Sequence, residues 1–264
     1  MPYVSNKGSR IYYEVKGEGA PLLLHHSLTR SLEAWTDFGY AQKLVRDYQL
    51  ILIDARGHGV SDKPHDPGAY RTDWMIGDMV AVLDKLGISK AHFYGYSLGA
   101  LLGFRIPKYA LTRFQSLILG GGNPYSFRTN EEKQFLGQLQ EAMRTGVERG
   151  IEAVVDFLEK TAGPMSPEAK ARVLANDPQA LFSAIKALGE WSNAEDLLPM
   201  MTFPCLVYAG EADPFYAGAR ECVDRMPNGT FISVPGLSHT EALYRSEIVL
   251  PHVISFLAGA SGES

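Results

Sequence analysis

Two cysteines among 264 residues leave no disulfide framework, and Cys205 and Cys222 form no C-x-x-C pair. No two histidines show H-x-x-x-H spacing either, so neither a metal site nor another cofactor is expected. Both cysteines read as buried apolar filler. Apolar runs approaching the ~18 residues of a membrane span are missing. Met1-Pro2-Tyr3-Val4-Ser5-Asn6-Lys7 lacks the apolar stretch of a secretion signal. No membrane insertion is expected, and a reduced cytoplasmic setting is. Blocks of like charge are absent too: 25 Lys and Arg against 30 Asp and Glu give a net charge of -5, spread along the chain. That disfavours nucleic acid or an anionic membrane as partner. With 45% hydrophobic and 21% charged residues, the chain is long enough to bury a large core.

What is present is a regular alternation. Residues 3–5 and 10–15 flank the turn Asn6-Lys7-Gly8-Ser9, which predicts an antiparallel start. Short, continuous apolar runs at 22–25, 50–53, 91–94, 116–119, 206–209 and 230–234 read as strands buried on both faces. Helical patterns at 32–47, 72–86, 97–105, 215–226 and 241–257 separate most of them. The expected fold is α/β: a mostly parallel eight-stranded sheet with helices on both faces. Pro107 should end or kink the third helix near Arg105. Between 121 and 201 strands stop, and helices are predicted over 130–149, 151–160, 167–176 and 179–188. Glu131 and Glu132 suit a helix start at Asn130, although Lys133 gives Asn130 no capping box. Residues 258–264 read as a frayed tail.

The chemistry-bearing motif is Gly95-Tyr96-Ser97-Leu98-Gly99, placed between a strand and a helix. A G-x-S-x-G in that context is a nucleophile elbow. Glycines are needed because a β-carbon at 95 or 99 would clash as the strand folds back into the helix. Such a turn exposes the Ser97 hydroxyl and aims the Leu98 N–H at the same point. A serine hydroxyl needs a base, and the base an orienting acid. Two late strands end on suitable residues: Gly210-Glu211-Ala212-Asp213 and Gly236-Leu237-Ser238-His239. The chain order Ser97, Asp213, His239 fits, and in open parallel sheets such groups gather at the carboxyl ends of strands. Glu211 shares the turn with Asp213 and is the other acid within reach of that position.

These motifs, with Leu22-Leu23-Leu24-His25-His26-Ser27 and Asp54-Ala55-Arg56-Gly57-His58-Gly59-Val60-Ser61, resemble those of the α/β-hydrolase superfamily over nearly the whole chain. The resemblance implies Ser97 as nucleophile, His239 as general base and Asp213 as its orienting acid. Leu98 and Ser27 N–H groups would form the oxyanion hole. It also implies a core over residues 1–122 and 202–264 and a helical cap over 123–201. Candidate pocket residues are His26, Tyr96, Tyr125, Phe127 and Trp191, with Phe135, Phe157 and Phe182 in the same aromatic pool. His26 stands where the family pattern has glycine: either it lines the pocket beside the oxyanion or the loop accommodates it locally. His25 would anchor that loop, while His58 and Asp54 would support turns.

Serine at 97 disfavours haloalkane dehalogenases and epoxide hydrolases of the superfamily, which use aspartate there. Carbon–carbon bond hydrolases often carry tryptophan after the catalytic histidine, where this chain has Thr240. The expected reaction is hydrolysis of a carboxylic ester, lactone or thioester of a small molecule. A carbon–carbon bond hydrolase or a cofactor-free haloperoxidase-like enzyme on the same residues, and a hydrolase-fold receptor with little turnover, are the alternatives.

Overall fold

A computed structural model describes residues 2–261. Eight strands form one sheet: β1 (Tyr3–Asn6), β2 (Ser9–Lys16), β3 (Ala20–His25), β4 (Tyr48–Ile53), β5 (Ala91–Tyr96), β6 (Phe114–Gly120), β7 (Cys205–Gly210) and β8 (Gly229–Val234). Their spatial order is β1-β2-β4-β3-β5-β6-β7-β8, with the β1–β2 and β2–β4 pairs antiparallel and every later pair parallel. The uniformly apolar runs explain this: β5 and β7 are buried at every position, as strands covered on both faces must be. Two separate apolar cores, one on each face of the sheet, bear out the expected α/β fold.

The helices are α1 (Ala34–Asp37), α2 (Tyr40–Leu44), α3 (Thr72–Lys85), α4 (Leu98–Gly103), α5 (Ile106–Tyr109), α6 (Asn130–Arg149), α7 (Glu152–Ala162), α8 (Pro167–Leu174), α9 (Pro178–Gly189), α10 (Tyr216–Cys222), α11 (Glu241–Tyr244) and α12 (Ser246–Ser261). Three expected helices are interrupted. The one over 32–47 splits at Gly39, whose φ of 84° leaves the helical region. The one over 215–226 tightens into a 3-10 turn from Val223. The one over 241–257 breaks at Arg245, where ψ turns to 57°. α12 continues through Ser261, so the expected tail is helical that far, and residues 262–264 lie outside the described residues. Near Arg105 the helix does end, and Pro107 sits in the first turn of α5. Among the described residues no helix is long and apolar enough to cross a membrane.

Between β6 and β7 the chain forms α6–α9 and a 3-10 turn over Glu195–Met200. The start of α6 corrects the sequence expectation by one residue. Thr129, not Asn130, is the N-cap, and it forms a capping box with Glu132. The fully buried Glu132 carboxylate also accepts from Asn123 Nδ2 at 2.6 Å, which fixes α6 to the segment leaving β6.

Sheet order places the site. β3 leads to β4 on one side, while β5 pairs with its other side, and at such a switch point loops diverge and leave a crevice. His25 pairs in register with Gly95, so the loop after β3 and the turn after β5 emerge together. Asp54 holds the neighbouring turn: its carboxylate accepts from the Leu32 and Val60 N–H groups, each at 2.8 Å. Behind it the fully buried Arg56 pairs with Asp78 at 2.8 Å.

Candidate active site

Ser97 sits between β5 and α4 with φ 52° and ψ −106°. A non-glycine residue persists in that region only where its surroundings over-determine it. A Cβ on Gly95 would lie 2.4 Å from the Gly99 carbonyl carbon, and one on Gly99 2.3 Å from the His25 carbonyl oxygen. Only glycines there let the helix start press onto β5 and the end of β3. The Ser97 N–H donates to the Gly120 carbonyl at 2.8 Å, which ties the turn to β6.

Asp213 and His239 come from the turns after β7 and β8. His239 Nδ1 lies 2.9 Å from Asp213 Oδ2, and its Nε2 lies 3.0 Å from Ser97 Oγ. Asp213 is 4% exposed, and its Oδ1 accepts the Phe215 N–H at 2.9 Å. A carboxylate facing Nδ1 requires the proton there, which leaves the Nε2 lone pair toward the Ser97 hydroxyl. Tyr96, Phe135 and Phe215 wall the imidazole at centroid distances of 5.7, 5.1 and 5.5 Å. The Tyr96 hydroxyl donates to the His239 carbonyl at 2.6 Å and so holds the turn that carries the ring. Glu211 faces elsewhere: its carboxylate accepts from the Ser233 hydroxyl and the Gly236 N–H.

Ser97 and His239 open into a cavity whose wall includes Ser27, Leu28, Thr29 and Arg30 from the loop after β3. α6 contributes Phe135 and Leu139, and α7 contributes Phe157, Leu158 and Thr161. Thr240 and Leu243 close it beside His239. Leu98 is the first residue of α4, so its N–H has no carbonyl within the helix to bond. Of the five expected pocket residues, only Tyr96 lines this cavity. Tyr125 is buried beneath the Arg128 guanidinium, with its hydroxyl on Glu221. Phe127 packs on Phe215, and Trp191 donates to the Tyr70 carbonyl and stacks on Arg105. These aromatics hold the helical segment to the core, which explains why they miss the cavity.

His26 is also corrected. It is 1% exposed and absent from the cavity wall. Its Nε2 accepts the Ala55 N–H at 3.0 Å, and its Nδ1 donates to the Ser27 carbonyl at 2.8 Å. The ring thus stitches the loop after β3 to the turn after β4, and the loop accommodates the missing glycine without positive φ at His26. It lies between His25 and His58, at centroid distances of 5.6 and 5.2 Å.

Burial keeps all three rings neutral: it pushes His25 and His58 each down to about 4 and His26 well below the usual histidine value. With His25 and His58 titrating near 4 when folded and near 6.5 when unfolded, only the unfolded chain takes up protons on them between those values, and His26 acts in the same direction. Stability is therefore expected to fall as pH drops from about 6.5 to about 4, by at most on the order of 3 kcal/mol for each of His25 and His58. Urea unfolding at pH 7, 6 and 5 checks this; an unfolding free energy flat over that range would exclude it. Among the described residues, no three His, Cys, Asp or Glu side chains are grouped to hold a metal ion.

A family model described as alpha/beta hydrolase fold matches residues 20–172. The chain belongs to the alpha/beta hydrolase fold family. A solved esterase from Thermogutta terrifontis is 20% identical with a TM-score of 0.83, covering 98% of each chain. An enol-lactonase from Burkholderia xenovorans is 22% identical with a TM-score of 0.81, covering 97% of this chain and all (100%) of its own. These two show the shared fold. A curated relative, a non-heme haloperoxidase of Rhodococcus erythropolis, is 25% identical over 284 residues, covering 97% of this chain and 99% of its own. This alpha/beta hydrolase thus has esterase, lactonase and haloperoxidase neighbours.

Proposed function

We propose that this alpha/beta hydrolase cleaves a carboxylic ester or lactone of a small molecule through an acyl-enzyme on Ser97. The observation that carries the reading is the hydrogen-bonded chain Asp213–His239–Ser97 ending in the cavity. Ser97 Oγ attacks the acyl carbon while His239 Nε2 takes its proton. Asp213 stabilises the imidazolium, and the Leu98 and Ser27 N–H groups receive the developing oxyanion. His239 then returns the proton to the departing alkoxide, which in a lactone stays attached to the acyl chain. Water repeats the sequence, taking the acyl group and restoring the Ser97 hydroxyl. Acid–base assistance contributes roughly 10²–10⁴-fold and one oxyanion donor about 10²–10³-fold. The helices between β6 and β7 serve as a cap, because α6 and α7 wall the cavity and exclude water from it.

The test is a panel of p-nitrophenyl esters of increasing acyl length together with γ- and δ-lactones, run on purified protein. Many turnovers per molecule are expected for at least one member. Release of one equivalent and then a stall would instead mark a receptor, and no release at all would remove the reading.

A further inference from the structure

The wall of the cavity of Ser97 and His239 includes one arginine, Arg30. Arg30 follows a tight turn in the loop after β3, in which its N–H donates to the Ser27 carbonyl at 3.2 Å and Thr29 takes φ 67°. The residue is 8% exposed and lines the cavity wall. Its guanidinium stacks near the Phe38 and Tyr244 rings, donates to the Tyr244 hydroxyl and lies 4.0 Å from Met165 Sδ. Among the described residues it has no carboxylate within ion-pair distance and no carbonyl oxygen accepting from it.

The other buried arginines are served differently. Arg56 has Asp78, and Arg105 donates to the Leu101 and Ser192 carbonyls. The acids nearest Arg30 in the chain, Glu33 and Asp37, are both taken by Arg172. A buried guanidinium without an anion pays a desolvation penalty that a bound carboxylate would offset. Its planar fork matches a carboxylate through two parallel hydrogen bonds, and the rings beside it fix that fork's plane.

We propose that Arg30 is a substrate-binding residue for a carboxylate, so that the preferred substrates are anionic. Resting on the ester or lactone hydrolysis proposed above, this names their class: esters or lactones with a second, free carboxylate away from the scissile carbonyl. Arg30 takes no part in the bond changes. It anchors the far end of the molecule, and Tyr244 positions it.

The experiment compares mono-p-nitrophenyl succinate, glutarate and adipate with the p-nitrophenyl esters of butanoate, pentanoate and hexanoate, which match them in carbon count. Wild-type kcat/KM should favour the half-ester at one length by about tenfold or more. Arg30→Gln should lower the ratio of anionic to neutral kcat/KM at that length by about 10²-fold. Arg30→Lys, which keeps the charge and loses the fork, should fall between. Equal losses on both series, or no wild-type preference at any length, would overturn the proposal. A second arm needs no turnover: calorimetry of Ser97→Ala with succinate, glutarate and adipate. Binding of one of these that disappears when Arg30→Gln is added supports the site even if no ester is hydrolysed. If no ester is hydrolysed and none of the three binds, or binding survives Arg30→Gln, the carboxylate site is excluded.

Discussion

Ser97→Ala is expected to lower kcat for any ester or lactone substrate by on the order of 10⁶-fold, the loss typical when the nucleophile of such a unit is removed. The protein should stay folded. The Ser97 hydroxyl faces His239 and the cavity, so its removal opens no gap in the cores on either side of the sheet. The strained backbone at φ 52° is imposed by the contacts of Gly95 and Gly99, which alanine leaves in place. The thermal midpoint should therefore move little, as for substitutions outside packed interiors. A serine-directed phosphonate should label wild type at Ser97 and leave the variant unmodified. Full activity in Ser97→Ala, or labelling of another serine, would remove the central claim.

How much of this was readable from residue order depends on what kind of signal each part leaves. Strands β3 to β7 are largely apolar runs, and that pattern survives because both faces of the sheet are covered there, whereas the edge strand β8 is mostly half-buried. The elbow was legible because its glycines are required by close approaches of 2.3–2.4 Å that no other residue survives. Helix interruptions at Gly39 and Arg245 were not, since periodicity reports which residues face the core and says little about a local break. The capping box at Thr129 was missed by one position, which is within the usual error of helix boundaries. Cavity walls were the least legible part. Phe135 and Phe157 reach the cavity while Tyr125, Phe127 and Trp191 brace the same helical segment. Aromatic identity is the same in both groups; only tertiary placement separates them. Arg30 lies in a short polar loop with no periodic pattern, and its significance rests on missing ion partners, which a sequence does not display.

Asp213→Asn is expected to lower kcat by about 10⁴-fold, while Glu211→Gln lowers it less than about threefold, the former magnitude following from loss of the correct imidazole tautomer. The hydrogen bonds around Asp213 dictate how the amide must sit. The Phe215 N–H points at Oδ1 and needs an acceptor, so the amide oxygen takes that place. The amide nitrogen then occupies the Oδ2 position, 2.9 Å from His239 Nδ1. There it donates, so Nδ1 must accept, and the ring proton moves to Nε2, the atom 3.0 Å from Ser97 Oγ. A protonated Nε2 cannot take the Ser97 proton, and no anion remains to stabilise an imidazolium. KM should change little, because Asp213 lies behind His239 and off the cavity wall. Among the described residues Glu211 binds only the Ser233 hydroxyl and the Gly236 N–H, so its amide costs at most a small adjustment of that turn. Steady-state kinetics of the two variants on one p-nitrophenyl ester decide the matter. A large loss in Glu211→Gln with a small one in Asp213→Asn would transfer the role of acid to Glu211.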